Sequence, residues 1–246
     1  VVDRLFLERM LPENIAKEQI GIYSACYKLG MFMTLFATAF RLGIEPFFFS
    51  HASSKNPKIA YAMITKYFVI IGTLIFLFVI VFIDVFKVIL IQDKSYWEAM
   101  KIVPIILLAN LFLGIYHNLS VWYKVTDKTH YGAYISSIGA LFTIGINLWL
   151  IPKMGYVASA VATLLAYGSM MLLSFFLGRK HYAIPYKYGK ILTYLVVSIL
   201  FSLISFYYFR ENYTVGITLI LIFCAGLFFT EKDEISRLLK NNTSNT

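Results

Sequence analysis

The chain has 246 residues, 59% of them hydrophobic and only 14% charged, with a mean hydropathy of +0.72. A soluble domain is about 45–50% apolar and about 25% charged, and one of this length cannot hide so much apolar surface in a single core; a chain dissolved in a lipid bilayer meets no such obstacle. The formal net charge of +9 forms no basic stripe of the kind that reads nucleic acid, so it is assigned to loops that orient a membrane protein, and no nucleic-acid partner is expected.

A membrane-crossing helix takes about 20 mostly apolar residues. Taken in chain order, Val1–Leu11 reads as the end of a span whose start is missing. It has no initiator Met and no signal peptide. A polar turn, Pro12–Glu18, leads into a very long segment from Gln19 to about Ser50. Six more spans are predicted at Tyr67–Ile91, Met100–Val125, Tyr131–Ile151, Tyr156–Gly178, Ile191–Phe209 and Val215–Phe229. The runs are too long and too uniformly apolar for β-barrel strands. The expected fold class is therefore all-α integral membrane, a polytopic helical bundle of one partial and seven full helices. Residues 1–230 would form the transmembrane lobe and residues 231–246 a polar tail, disordered in its last residues.

Loop charges predict the orientation. On one side lie Lys55, Lys58, Lys66, Lys124, Lys128, Arg179, Lys180, Lys187, Lys190, Lys232, Arg237 and Lys240; the other holds Arg9, Lys17, Lys94, Lys101, Lys153 and Arg210. The positive-inside rule places the first group and the carboxyl terminus in the cytoplasm. Cys26 and Cys224 both sit in apolar runs and read as small buried hydrophobes, without spacing for a disulfide or metal site.

Gln19–Ser50 departs from what lipid demands, because Lys28, Arg41 and Glu45 interrupt its apolar run. At ~1.5 Å per residue it would be ~48 Å long, against a hydrocarbon core of ~30 Å. On a wheel of ~100° per residue, Tyr23, Ser24, Tyr27, Lys28, Thr34, Thr38, Arg41 and Glu45 fall within an arc of ~140°. Leu29, Phe32, Met33, Phe36, Ala37, Phe40 and Ile44 occupy the remainder. A wet face on a membrane helix lines a polar cavity. The competing reading has Lys28 snorkelling to one interface and Arg41 paired with Glu45 at the other. The first helix repeats the theme: Arg4 either lines the same cavity or pairs with Glu8. Asp84 with Lys87, and His117 near a helix end, read as interfacial groups.

No enzyme constellation is present. The sequence lacks HExxH, CxxC, a Walker A loop and a Ser-His-Asp set that shares a face, so neither catalysis nor a cofactor is expected. The loops opposite the basic side are short, which argues against a polymerase or ligase of surface glycans.

The stretch Asn147–Gly155, reading N-L-W-L-I-P-K-M-G, continues through V-A-S-A-V-A-T at Val157–Thr163 to Ala166 and Tyr167. It resembles the N-x-x-L-I-P-x-x-G signature, with its small-residue continuation, of bacterial polysaccharide flippases, the Wzx-type members of the MATE-like (MOP) superfamily. Asp3-Arg4, followed by I-G-I-Y-S-A-C-Y-K-L at Ile20–Leu29, is similar to that family's passage from its seventh helix into its eighth. The motif also has a plain packing logic. Asn147 can bond between helices, Pro152 ends its helix, Gly155 opens a tight turn, and Ala158, Ala160 and Ala162 allow close approach.

The resemblance implies a two-lobe transporter of fourteen helices, of which this chain would be the carboxyl-terminal lobe, with its amino-terminal half as a partner. It implies translocation of undecaprenyl-pyrophosphate-linked oligosaccharide across the bacterial inner membrane. Membrane lipids and glycan polymerase machinery would be further partners. Arg4, Lys28 and Arg41 match the cationic cavity positions, and Tyr27, Thr38 and Glu45 share their helix face. A MATE-type exporter of drugs or cations is the alternative, and it would favour acidic cavity residues.

Overall fold

The computed structural model describes residues 2–52, 54–91 and 93–243, with side chains as far as Glu234 except that of Glu98. Its regular structure is helical throughout: α1 (Val2–Met10), α2 (Glu13–Ser50), α3 (Pro57–Val81), α4 (Ile83–Leu90), α5 (Val103–Leu119), α6 (Val121–Val125), α7 (His130–Met154), α8 (Tyr156–His181), α9 (Tyr188–Leu203) and α10 (Tyr213–Thr243). A 3₁₀ stretch, Lys94–Ile102, leads into α5, and a π-helical turn, Ile204–Tyr208, closes α9. Seven of these segments are long and apolar enough to cross a bilayer. The chain is an all-α polytopic membrane protein.

Packing centres on α5, which lies against α2, α3 and α8; α8 also packs on α7, and α3 on α9. Between α2 and α3 the contact is aromatic: Phe36 stacks on Phe68 with centroids 5.1 Å apart, and Phe40 meets the same ring edge-on at 5.0 Å. The α7–α8 corner turns on Gly155, whose φ of +54° suits a residue without a Cβ. There the Gln19 side-chain oxygen accepts from the Tyr156 N–H at 2.9 Å, bonding one of the donors at the start of α8. Ala158, Ala160 and Ala162 are fully buried, as expected of a small-residue face. Pro152 does not end its helix; α7 continues through it to Met154.

The predicted spans shift in three places. The polar turn expected at Pro12–Glu18 is mostly helix, because α2 begins at Glu13. The third helix runs Pro57–Val81 rather than Tyr67–Ile91, and breaks at Phe82 before the short α4. Lys58 and Lys66 had pushed the predicted start inward, since a bare ammonium is costly at membrane depth. Lys66 is nevertheless buried, because it pairs with Glu231 and, at 2.8 Å, with Glu234. The same acids explain the last helix. It does not stop near Phe229, but α10 carries on to Thr243 as one helix. The expected disorder at the carboxyl terminus concerns residues outside those described. Cys26 is buried and donates to the Ala99 carbonyl at 3.3 Å, whereas Cys224 is exposed rather than buried.

Candidate functional site

Helix α1 is short and amphipathic, and it inserts one carboxylate between three neighbours. Asp3 accepts hydrogen bonds from the Tyr23 hydroxyl of α2 (3.1 Å), the Asn147 amide of α7 (3.2 Å) and the Thr163 hydroxyl of α8 (3.3 Å). Asn147 is itself fixed, because its amide also donates to the Thr143 carbonyl and its oxygen accepts from Ser159 at 3.0 Å. A cavity of about 360 Å³ opens beside Asp3, lined in part by Ser136, Thr143, Thr163 and Tyr167. The sequence marked Asn147 as an interhelix bonder and Asp3 as a charge in the first helix, but did not connect them. Among the described residues, no cluster of three or more His, Cys, Asp or Glu side chains could hold a metal ion.

The six residues expected on the cavity face fall into two groups. Arg41 and Glu45 come together at the far end of α2, around a small hollow shared with Phe48, His117, Asn118 and Lys124. Glu45 does not pair with Arg41, its neighbour one turn away; it pairs with Lys124 of α6. Arg4, Lys28 and Thr38 are exposed, and Tyr27 is half-buried. None of the described ion pairs includes Arg4, Lys28 or Arg41, and Arg4 does not pair with Glu8. The division into a wet and a greasy face is less clean than the wheel suggested. Met31, Leu35 and Leu42 lie within the polar arc and are exposed with it, so this side of α2 presents both cations and hydrocarbon.

Several charges elsewhere are consumed by structure. Lys66, Lys187 and Lys190 meet Glu231 and Glu234 where α3, α9 and α10 converge, and the Tyr194 hydroxyl adds a bond to Glu231 at 2.5 Å. Asp84 contacts Lys87, as expected of that pair, and also receives a two-pronged contact from Arg210 at 3.0 and 3.1 Å. Burial pushes the Asp84 carboxyl upward, but the hydrogen bonds from Arg210 and Lys87 outweigh it and hold the group below the ordinary carboxylate range. His117, read as an interfacial group, lines the Arg41–Lys124 hollow.

No curated protein and no solved structure matches the chain. The MatE profile, by contrast, matches residues 6–149, more than half of the 246 residues. With seven helices long and apolar enough to cross a bilayer, the chain belongs to the MatE family of membrane transporters.

Proposed function

We propose that this transporter is a flippase that moves an undecaprenyl-pyrophosphate-linked oligosaccharide from the inner to the outer leaflet of the bacterial inner membrane, with its carboxyl terminus in the cytoplasm. The observation that carries this reading is three cations without an ion pair, Arg4 on α1 and Lys28 and Arg41 on α2. Lys66, Lys124, Lys190 and Arg210 each meet a carboxylate, while Arg4, Lys28 and Arg41 meet none among the described residues. Charge left unneutralised at membrane depth costs free energy unless a ligand or a watery cavity uses it. A diphosphate would supply the missing anion, and the exposed Met31, Leu35 and Leu42 on the same side suit a lipid carrier. The resemblance of the Asn147–Tyr167 motif to polysaccharide flippases points the same way. Partners in this reading are the amino-terminal lobe and the glycan polymerase machinery.

The test is complementation of a strain lacking the gene. Arg4→Ala, Lys28→Ala and Arg41→Ala should each reduce surface glycan at unchanged protein level. Normal glycan from all three variants would overturn the proposal. A second reading, a MATE-type exporter of organic cations, is favoured by the Asp3 carboxylate on its 360 Å³ cavity. It predicts that Asp3→Asn abolishes cation efflux while surface glycan is untouched.

A further inference from the structure

The hollow at the far end of α2 holds two buried polar atoms that no group among the described residues satisfies. They are the Nε of Arg41, a donor, and the Oδ1 of Asn118, an acceptor. Buried polar atoms are nearly always bonded, and those left over mark a water or a ligand. Asn118 is only 3% exposed, and its amide nitrogen is committed to the Gly114 carbonyl at 3.0 Å, so only its oxygen is left over. The charges here do not balance. Arg41 and Lys124 face one carboxylate, Glu45, with the His117 ring on the same wall.

As it stands, the hollow has a volume of about 10 Å³, room for a single water and no more. Glu45 forms part of its wall, with its carboxylate on Lys124. That contact is neither buried nor tightly boxed, since the side chains of Lys124 and Glu45 are 27% and 34% exposed. Pairs so exposed to solvent are worth little and are readily exchanged. The backbone beside it is also weakened: Pro46, inside α2, cannot donate the helical hydrogen bond to the Leu42 carbonyl.

We propose that Arg41, His117 and Lys124 form a site for the phosphate groups of an anionic ligand, kept closed by Glu45, which occupies Lys124 until a phosphate displaces it. The inference rests on the flippase reading and adds to it Lys124 and His117 as binding residues and Glu45 as an internal competitor. Guanidinium and ammonium groups make charge-assisted bonds to phosphate oxygens as they do to carboxylate. A diphosphate, which keeps two negative charges even when esterified at both ends, therefore outbids a single carboxylate for the same pair of cations. The displaced Glu45 opens the space that the phosphate enters, and the last turns of α2 lose their tie to α6. No covalent step is involved. The phosphate could arrive on a polyprenyl carrier or as a free ion, and the two sources share this chemistry.

The experiment measures binding of radiolabelled farnesyl diphosphate to the full chain in nanodiscs of phosphatidylcholine, with inorganic pyrophosphate and farnesol as competitors. Lys124→Gln and Arg41→Gln should weaken binding about tenfold, and Lys124→Arg should retain it. Glu45→Gln should tighten it about fivefold, because the competitor loses its charge. Opposite signs for the two members of one ion pair are what a merely structural bridge cannot produce.

Displacement by pyrophosphate at equal concentration would assign the site to free phosphate anions. Displacement by farnesyl diphosphate alone would assign it to a lipid headgroup. Equal displacement by farnesol would overturn the proposal. So would a change of the same sign in Glu45→Gln and Lys124→Gln. Binding that is lost in Lys28→Gln but untouched by either of those variants would overturn this inference and leave the flippase reading intact. Absence of diphosphate binding in every form, together with uptake of an organic cation, would overturn both.

Discussion

Replacing Lys66 with Met removes an ammonium from the cluster that joins α3 to α10 while nearly conserving side-chain volume. Glu231, 3% exposed, then keeps its charge and loses one of its two lysines; Glu234 likewise keeps only Lys187. Breaking a buried ion pair by deleting one partner costs about 3–5 kcal/mol. Lys190 at 2.9 Å and the Tyr194 hydroxyl at 2.5 Å still hold Glu231, which places the expected loss at the lower end, about 3 kcal/mol. For a chain of this size that corresponds to a fall in Tm of about 6–12 °C. Purified protein in detergent, heated and followed by size-exclusion chromatography, gives the measurement. The double variant Lys66→Met/Glu231→Gln should regain part of the loss, because the orphaned charge is gone. A drop below about 2 °C, or strict additivity of the two single changes, would refute the reasoning.

Asp84 makes a prediction in pH. Its carboxyl is held below the ordinary range by Arg210 and Lys87 against the upward push of burial. Its contribution is therefore complete above the unfolded carboxylate pKa of about 3.9 and is lost as pH falls through the lower folded value. Asp84→Asn should destabilise the protein at neutral pH, with a gap to the wild type that narrows on acidification; a gap that widens towards acid would contradict it. Gly155→Ala should lower stability by about 1–2 kcal/mol from the left-handed backbone alone. It should lose more where the new Cβ would stand 2.5 Å from the Gln19 oxygen. Gln19→Ala in the same chain should relieve only the second part, as read by thermal melting.

The spans were legible because a bilayer imposes one crude demand, an apolar run of fixed length, and local sequence answers it. The same ruler failed at Lys66. A charge was taken as a boundary when its partners, Glu231 and Glu234, lay in a segment read as a loose tail. Pairings of this kind are set by tertiary packing and leave no trace in spacing. Glu45 illustrates it again: the helix wheel offered Arg41 as its partner one turn away, and the fold supplies Lys124 from α6 instead. The Asp3 cluster was half visible. Asn147 stood out as a polar residue in an apolar helix, but nothing in the sequence could bring Asp3 to Asn147 and Thr163 across separations of 144 and 160 residues. The cations Lys28 and Arg41 were found by the opposite logic, as charges that local sequence could not explain.

The bond between Lys66 and Glu231 spans 165 residues, and that distance has a meaning in time. Chains are made from the amino terminus and fold as they emerge, so Lys66 reaches the membrane long before either acid that will neutralise it exists. Throughout synthesis of α4 to α9 its ammonium waits without the carboxylates that neutralise it. Only when α10 is inserted does Lys66 meet its two acids. The final helix thus works as a closing clasp, and a nascent chain that stops short of Glu231 would carry a bare buried lysine by which membrane quality control could tell it from the finished protein.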